Sequence, residues 1–257
     1  MIYKRNKLTI DGFDIRFLGK KFQTPMYCYS LKMINNNISN LKKNFSKINP
    51  LICYAVKANS NLAILREIKN NDLGADVVSC GELMKALKAG IKPKKIVFSG
   101  VGKTYSEIEY AIRKNILLIN TESRSEILEI EKIAKKKRKV VNIGIRLNPN
   151  TDAQTISQIS TGKKENKFGV DQKTFLELVN YLKKSKYINL NCLSVHIGSQ
   201  ILNIKPYLDM LKVVDKVIKK SNHNFEFVDL GGGMGIDYNH NNLKLDLKKY
   251  SRNIEIF

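Results

Sequence analysis

The chain has 257 residues, carries 45 Lys and Arg against 23 Asp and Glu, and is 43% hydrophobic. This composition excludes a disordered chain or a peptide-sized scaffold, and the length suits one large α/β domain or two smaller ones. The net charge of +22 raises the question of nucleic acid, but the lysines are spread along the chain and the signature of an RNA-binding module is absent. A codon bias towards lysine and asparagine would raise the charge without selecting a partner, and no nucleic-acid partner is predicted.

Membrane-spanning and secretory segments are not predicted. No uncharged apolar stretch is long enough to span a bilayer, and the N-terminus reaches Asp11 and Asp14 without an apolar signal segment. We therefore expect a cytoplasmic protein that has no membrane partner. The cysteines form no C-x-x-C pair and are expected to be reduced thiols, with no metal site: Cys28, Cys53, Cys80 and Cys192.

The N-terminal region and the rest of the chain differ in pattern. Residues 8–17 and 25–29 alternate like antiparallel strands, and a helix is predicted near 31–45. From residue 51, short apolar runs alternate with amphipathic stretches, which indicates βα units and a parallel sheet. Seven strands are predicted at 51–57, 75–78, 95–99, 116–119, 140–147, 190–197 and 225–230. The helices are predicted at about 61–70, 81–89, 104–114, 123–137, 171–184 and 205–220.

This alternation fits a barrel and a doubly wound sheet equally well, because parallel strands in both are buried on two faces and form continuous apolar runs. The segment 148–170 is a long polar connection. Connections of that length in α/β domains are more often functional lids than idle linkers, so we expect it to border a site.

Two glycine-rich segments need to be separated from known nucleotide motifs. Residues 99–104 (SGVGKT) resemble the end of a P-loop, but Val97 stands where that motif requires glycine. Residues 231–235 (GGGMG) follow a strand, but Ile236 stands where the dinucleotide fingerprint requires glycine or alanine. Neither an NTPase nor a Rossmann site is predicted. The second segment does let the backbone approach an anion at a strand end, which favours phosphate binding over a merely tight turn.

Several polar side chains fall at the carboxyl ends of different predicted strands, where barrel enzymes carry their sites. Lys57 ends the first predicted strand, and a lysine that is desolvated there becomes a nucleophile for an aldehyde. His196 ends another strand; a lone histidine is more often structural, and its position is what favours a role in a site. Asp76, Arg146 and the glycines from 231 share this edge.

Five segments together resemble the diaminopimelate decarboxylase family, within the alanine-racemase-like, fold-type III group of pyridoxal phosphate enzymes. The similarity runs from about residue 8 to the C-terminus, in the same order and spacing. Residues 159–169 point to the diaminopimelate branch over the ornithine and arginine branches. One departure is Ile156, near where the family usually has a histidine. The five segments are 54–61 (YAVKANSN), 74–83 (GADVVSCGEL), 146–149 (RLNP), 196–200 (HIGSQ) and 229–235 (DLGGGMG).

The resemblance implies an α/β fold, a (β/α)8 TIM-type barrel of which about seven of eight strands are present, preceded by N-terminal strands of a β-domain. The expected domains are 1–30, from the β-domain, and 31–257, the incomplete barrel. The family's Glu-Pro-Gly-Arg motif on the eighth strand has no counterpart here, nor has the rest of the β-domain. We therefore expect a partial sequence of a longer enzyme, with open hydrogen-bonding edges on its first and seventh strands.

The resemblance also implies a role for each site residue. Lys57 would form the Schiff base with pyridoxal 5'-phosphate, and the ring of His196 would stack on the face of the cofactor. Asp76 and Arg146 would support His196. The phosphate would be held by Ser199 and by the backbone of Gly231, Gly232 and Gly233.

The activity implied is decarboxylation of meso-2,6-diaminopimelate to L-lysine and CO2, the last step of lysine biosynthesis, in a homodimer. The electrons released would pass into the pyridine ring of the cofactor. Two alternatives stay open: a fold-type III decarboxylase of the ornithine or arginine type, and an inactive truncated remnant that still binds pyridoxal phosphate.

Overall fold

The computed structural model describes residues 2–4, 6–153, 161–162, 168–238 and 244–257. The chain divides into two compact units, Met1–Asn49 and Pro50–Phe257. The predicted boundary between residues 30 and 31 stays a prediction. Among the described residues, none of the helices is both long and apolar enough to cross a membrane.

The first unit combines a small antiparallel sheet with two helices. Its strands are β1 (Ile2–Lys4), β2 (Lys7–Ile10) and β3 (Phe13–Asp14), paired in that order. The helices are α1 (Ile15–Lys21) and α2 (Leu31–Asn44). Helix α2 confirms the helix predicted near 31–45.

Two strand predictions in this unit are wrong. Residues 15–17 are helical because the Asp14 carboxylate accepts the backbone N–H of Arg16 and caps α1, which ends the sheet at Asp14. Residues 25–29 form no strand although their pattern alternates, since no described strand pairs with them. Alternation supplies a face for a sheet, but a strand also needs hydrogen bonds to a neighbour.

The second unit is a parallel sheet with helices between its strands. The strands are β4 (Cys53–Ala55), β5 (Gly74–Val77), β6 (Ile96–Phe98), β7 (Leu118–Thr121), β8 (Val141–Leu147), β9 (Ile188–Val195) and β10 (Phe227–Asp229). The helices are α3 (Leu62–Asn70), α4 (Cys80–Lys88), α5 (Tyr105–Lys114), α6 (Arg124–Lys137), α7 (Gln172–Leu182), α8 (Lys205–Ser221) and α9 (Leu247–Ile256). One-turn 3-10 helices cover Val56–Ala58 and Pro93–Lys95. All seven predicted strands and the helices between them are confirmed.

The strand order selects a barrel over a doubly wound sheet. Each strand pairs in parallel with the next one in sequence, from β4 through to β10, whereas a doubly wound sheet reverses its order. Strands β7 and β10 have β8 and β9 between them, which is about 14 Å in a flat sheet. Even so, Asn120 of β7 donates a hydrogen bond of 2.9 Å to Asp229 of β10. The sheet is therefore curled as part of a TIM-like barrel, with both side chains on its concave face.

The turns that leave the carboxyl edge of the sheet share one capping pattern. In α4, α5 and α6 a Ser or Thr caps the helix, and a Glu three residues later accepts a backbone N–H from the turn that precedes it. These pairs are Ser79 with Glu82, Thr104 with Glu107, and Ser123 with Glu126. The capped turns fix where each strand ends, and so where the side chains that follow it lie.

Both faces of the sheet are packed. Strands β6 and β7 are buried at every residue, as expected for parallel strands covered on two sides. The outer layer is formed by helix side chains with almost no exposed surface, namely Leu65, Leu83, Ile108, Ile127, Phe175 and Tyr207. This core gives the carboxyl edge a rigid base.

Candidate active site

The residues that the sequence singled out lie along the carboxyl edge of the curled sheet. Lys57 follows β4, Asp76 lies near the end of β5, and Arg146 near the end of β8. His196 directly follows β9, and residues 231–233, which we call the glycine turn, follow β10. Separate segments of the chain therefore converge on one region.

Lys57 is not the last residue of a strand, as predicted, but lies in the one-turn 3-10 helix beyond it. The β4 ladder ends where Ala55 pairs with Asp76, so the backbone turns two residues earlier than the apolar pattern indicates. The Lys57 side chain is exposed, and its charge interacts with Asp76 and His196.

His196 is held as a neutral imidazole. Burial, and then the charges of Arg146 and Lys57, lower the pKa of His196 from 6.5 to about 4. The backbone N–H of Gly232 donates to His196 Nδ1 over 3.3 Å. Because Nδ1 accepts, the ring proton belongs on Nε2. The ring therefore has a fixed tautomer and no charge at neutral pH.

Arg146 is bound on several sides. It donates to Glu122 Oε1 over 3.1 Å and to the carbonyl oxygen of His196 over 3.4 Å. Its guanidinium carbon lies 4.7 Å from the centre of the Phe168 ring. Glu122 in turn accepts the backbone N–H of Gly169, so one buried carboxylate joins β8 to the end of the long connection. The arrangement holds the backbone at His196 in place.

Asp76 has one carboxylate oxygen, Oδ1, that is buried and has no hydrogen-bond partner among the described residues. Burial raises the pKa of Asp76 from 3.8 to about 6, against the lowering effect of its hydrogen bond with Ser99. The nearby Asp229 raises the pKa further and Lys57 lowers it. A buried polar atom without a partner points to a group that the protein is built to receive.

The backbone of the glycine turn packs closely against the end of β9 and the residues that follow it. Gly231 and Gly233 have φ of +68° and +84°. A Cβ on Gly231 would lie 2.6 Å from the carbonyl oxygen of Val195, and one on Gly233 would collide with that of Gly198. Gly232 has no such reason to be glycine, because a Cβ there would meet nothing within 4 Å. Its open side leaves room for a ligand.

The backbone amides of this turn are not equally available. The Gly231 N–H donates to Asp229 Oδ1 over 2.9 Å, and the Gly232 N–H is shared with His196. Within the described part of the chain, the Gly233 N–H has no hydrogen-bond partner, and neither has the exposed hydroxyl of Ser199. These two donors suit an anion.

Sequence reasoning missed a set of polar residues on the concave face. Asn120 is 2% exposed, and its Nδ2 donates to Asp229 and, over 3.3 Å, to Ser99 Oγ. Ser194 Oγ also donates to Asp229, over 3.0 Å. A signal was present in the sequence: a polar side chain interrupts the apolar run of β7, and Gly144 interrupts β8 at the point that faces Asn120.

The segment that resembles a P-loop has a structural explanation. Lys103 Nζ is buried and donates to the carbonyl oxygens of Gly100 and Asn120 over 2.6 and 2.7 Å, and to Glu126 Oε1 over 2.6 Å. All three ammonium protons are therefore engaged within the protein. In the predicted lid, Ile156 and most of 159–169 lie outside the described residues.

Comparison with known proteins matches these features to one family. The family model described as pyridoxal-dependent decarboxylase, pyridoxal binding domain, matches residues 31–256. Diaminopimelate decarboxylase of Helicobacter pylori strain J99 is 46% identical over 91% of the chain and 58% of its own length. That of Campylobacter jejuni is 42% identical over 94% of the chain and 61% of its own length.

Solved structures of the same family resemble this chain in fold. The crystal structure of the H. pylori diaminopimelate decarboxylase complexed with L-lysine has a TM-score of 0.91 and 43% identity, covering 95% of this chain and 62% of that one. The enzyme of M. jannaschii in co-complex with L-lysine has a TM-score of 0.91 and 36% identity, covering 98% and 61%. The chain thus spans about three fifths of the length of these relatives.

Proposed function

Because the chain belongs to the pyridoxal-dependent decarboxylase family, as its pyridoxal-binding domain, we propose that the protein decarboxylates meso-2,6-diaminopimelate to L-lysine and CO2. The observation that carries the proposal is the convergence of Lys57, His196 and the glycine turn on one edge of a barrel. The choice of substrate rests on relatives named diaminopimelate decarboxylase at 42–46% identity. A homodimer and a cytoplasmic location belong to the same proposal and rest on family resemblance.

The residues fit pyridoxal phosphate, which has an aldehyde, a flat ring and a phosphate. Lys57 offers an exposed primary amine beside Asp76. His196 offers a neutral aromatic ring whose orientation is fixed by Gly232. The glycine turn offers an open side at Gly232 and an unused N–H at Gly233. Each part of the cofactor has a suitable counterpart.

Each residue has a distinct task in this proposal. Lys57 offers the primary amine that would hold the cofactor through its aldehyde. His196 provides a ring face without a charge that would compete for electrons. Arg146 is bound to Glu122 and to the His196 carbonyl, so it acts by keeping His196 in place. When bound, pyridoxal phosphate supplies the electron sink for loss of the carboxylate.

Asp76 sets the charge beside Lys57. Burial raises the pKa of Asp76 to about 6, well above the usual value for a carboxyl group. The positive charge of Lys57 in turn lowers the pKa of Asp76, against the larger effect of burial. We assign Asp76 the task of placing a buried carboxyl group beside the Lys57 amine.

The experiment is a titration of the purified protein with pyridoxal phosphate, followed by an assay for L-lysine and CO2 from meso-diaminopimelate. We expect a visible absorbance band that is lost in Lys57→Ala. Lys94→Ala is the matched control, because Lys94 is exposed at the opposite edge of the sheet and, among the residues that the structure describes, hydrogen-bonds Asn115 alone. Absence of the band in the unmodified protein refutes the proposal. A band with a polyamine product from ornithine or arginine, and no lysine, refutes the substrate.

A further inference from the structure

We infer that Asn120 is a positioning residue for the glycine turn and acts on it through the carboxylate of Asp229. This inference rests on the proposed function, because it assigns the turn to the cofactor phosphate. Asn120 is buried in the middle of the concave face and lies outside the glycine turn itself.

The geometry forms a continuous chain of hydrogen bonds. Asn120 Nδ2 donates to Asp229 Oδ2 over 2.9 Å, and Asp229 Oδ1 accepts the Gly231 N–H over 2.9 Å. The two oxygens of one carboxylate thus face in different directions, one towards the barrel interior and one towards the turn. If the first bond is lost, only Ser194 still donates to Oδ2, so the carboxylate and the turn that it anchors are held less firmly.

The orientation of the Asn120 amide follows from its partners. Asp229 Oδ2 is the acceptor of this bond, so Asn120 presents its nitrogen, and not its oxygen, to Asp229. The second proton of that nitrogen goes to Ser99 Oγ, and Ser99 in turn bonds Asp76. Asn120 therefore connects the carboxylate beside Lys57 with the carboxylate beneath the turn.

Strand β8, next to β7, leaves space for the Asn120 amide. Gly144 of β8 faces Asn120, and a Cβ at that position would collide with Asn120 Oδ1. A side chain on β8 would displace the amide from Asp229. The glycine in the middle of this strand is explained by the space that Asn120 occupies.

The test compares two ligands that differ only in the phosphate. Dissociation constants are measured by equilibrium dialysis for pyridoxal phosphate and for pyridoxal, in the unmodified protein and in Asn120→Ala. We expect the preference for the phosphorylated ligand to fall about ten-fold, since a hydrogen bond to a charged group contributes that much. Affinity for pyridoxal should change little, because Lys57 and His196 are untouched.

Asn191→Ala is the matched control. Asn120 and Asn191 are both buried strand asparagines that donate to a carboxylate and whose Oδ1 has no hydrogen-bond partner among the described residues. The carboxylate that Asn191 contacts is that of Glu226, which has no hydrogen bond to the glycine turn in the described part of the chain. Loss of a buried amide by itself should weaken both ligands alike in this variant. If Asn120→Ala leaves the preference for phosphate unchanged, or if Asn191→Ala lowers it as much, the inference is wrong.

Failure of the inference is distinguishable from failure of the proposed function. An unmodified protein that binds neither ligand refutes the proposed function, whereas one that binds both while Asn120→Ala behaves normally refutes only the inference. If Asn120→Ala does not fold, Ser194→Ala removes the other donor to Asp229 Oδ2. It should lower the phosphate preference about three-fold, because one of the two donors remains; an unchanged preference overturns the inference.

Discussion

Replacing Lys103 with methionine should destabilise the protein strongly, although Lys103 contacts none of Lys57, His196 and the glycine turn. Methionine keeps much of the length of the side chain but removes its charge and its three donors. The Lys103 and Glu126 side chains are 1% and 11% exposed, so water cannot replace the lost partner. The carbonyl oxygens of Gly100 and Asn120 lose a donor as well.

The magnitude follows from the buried charge that is left behind. Removing one partner of a buried ion pair costs about 3–5 kcal/mol, most of it from the uncompensated charge. We expect the free energy of unfolding of Lys103→Met to fall by about that amount. Adding Glu126→Gln removes the stranded charge, and the double variant should recover about 1–3 kcal/mol.

Urea unfolding followed by far-ultraviolet circular dichroism measures the effect, because the chain has no tryptophan. The control is Lys137→Met, which breaks the pair with Glu109; those side chains are 40% and 33% exposed. An exposed pair contributes at most about 1 kcal/mol. The reasoning is refuted if Lys103→Met is as mild as this control, or if the double variant is no more stable than the single one.

Three further outcomes are expected. Burial raises the pKa of Asp76 from 3.8 to about 6, so the folded chain holds that proton more tightly; the stabilisation is present below pH 3.8 and is lost as the pH rises through 6. Asp76→Asn should remove this contribution to the pH dependence of the unfolding free energy between about pH 4 and about pH 7. A pH dependence equal to that of the unmodified protein contradicts the assignment. For His196 the sign is opposite, because its pKa is lowered from 6.5 to about 4. Its contribution to the free energy of unfolding is present above pH 6.5 and declines as the pH falls towards 4. His196→Gln should abolish this dependence on pH in the same unfolding measurements. Gly144→Ala should lower the unfolding free energy by about 1–3 kcal/mol through its clash with Asn120. The added Cβ of Gly232→Ala has nothing within 4 Å, so this variant should change the unfolding free energy by less than about 0.5 kcal/mol. Equal losses of stability in the two glycine variants would contradict the steric explanation.

The seven strands could be predicted from the sequence because a buried parallel strand is a continuous apolar run, and that signal is local. The pattern of apolar residues did not predict strands correctly where strand formation depends on pairing with a neighbouring strand. Residues 25–29 alternate as a strand does but pair with no described strand. Lys57 lies beyond β4 because the ladder with β5 ends at Ala55, which apolar character does not reveal.

The placing of Lys57, His196 and the glycines at strand ends was within reach of the sequence, since carboxyl ends of parallel strands meet at one edge. The order of the strands and the curl of the sheet could not be predicted from the alternation of elements, because a barrel and a doubly wound sheet share it; the family resemblance alone implied the barrel. Asn120 and Asp229 lie 109 residues apart in the chain and are brought together only by that curl. Hydrogen bonds across a concave face depend on the distance between strands that are not neighbours, and no periodicity along the chain encodes that distance.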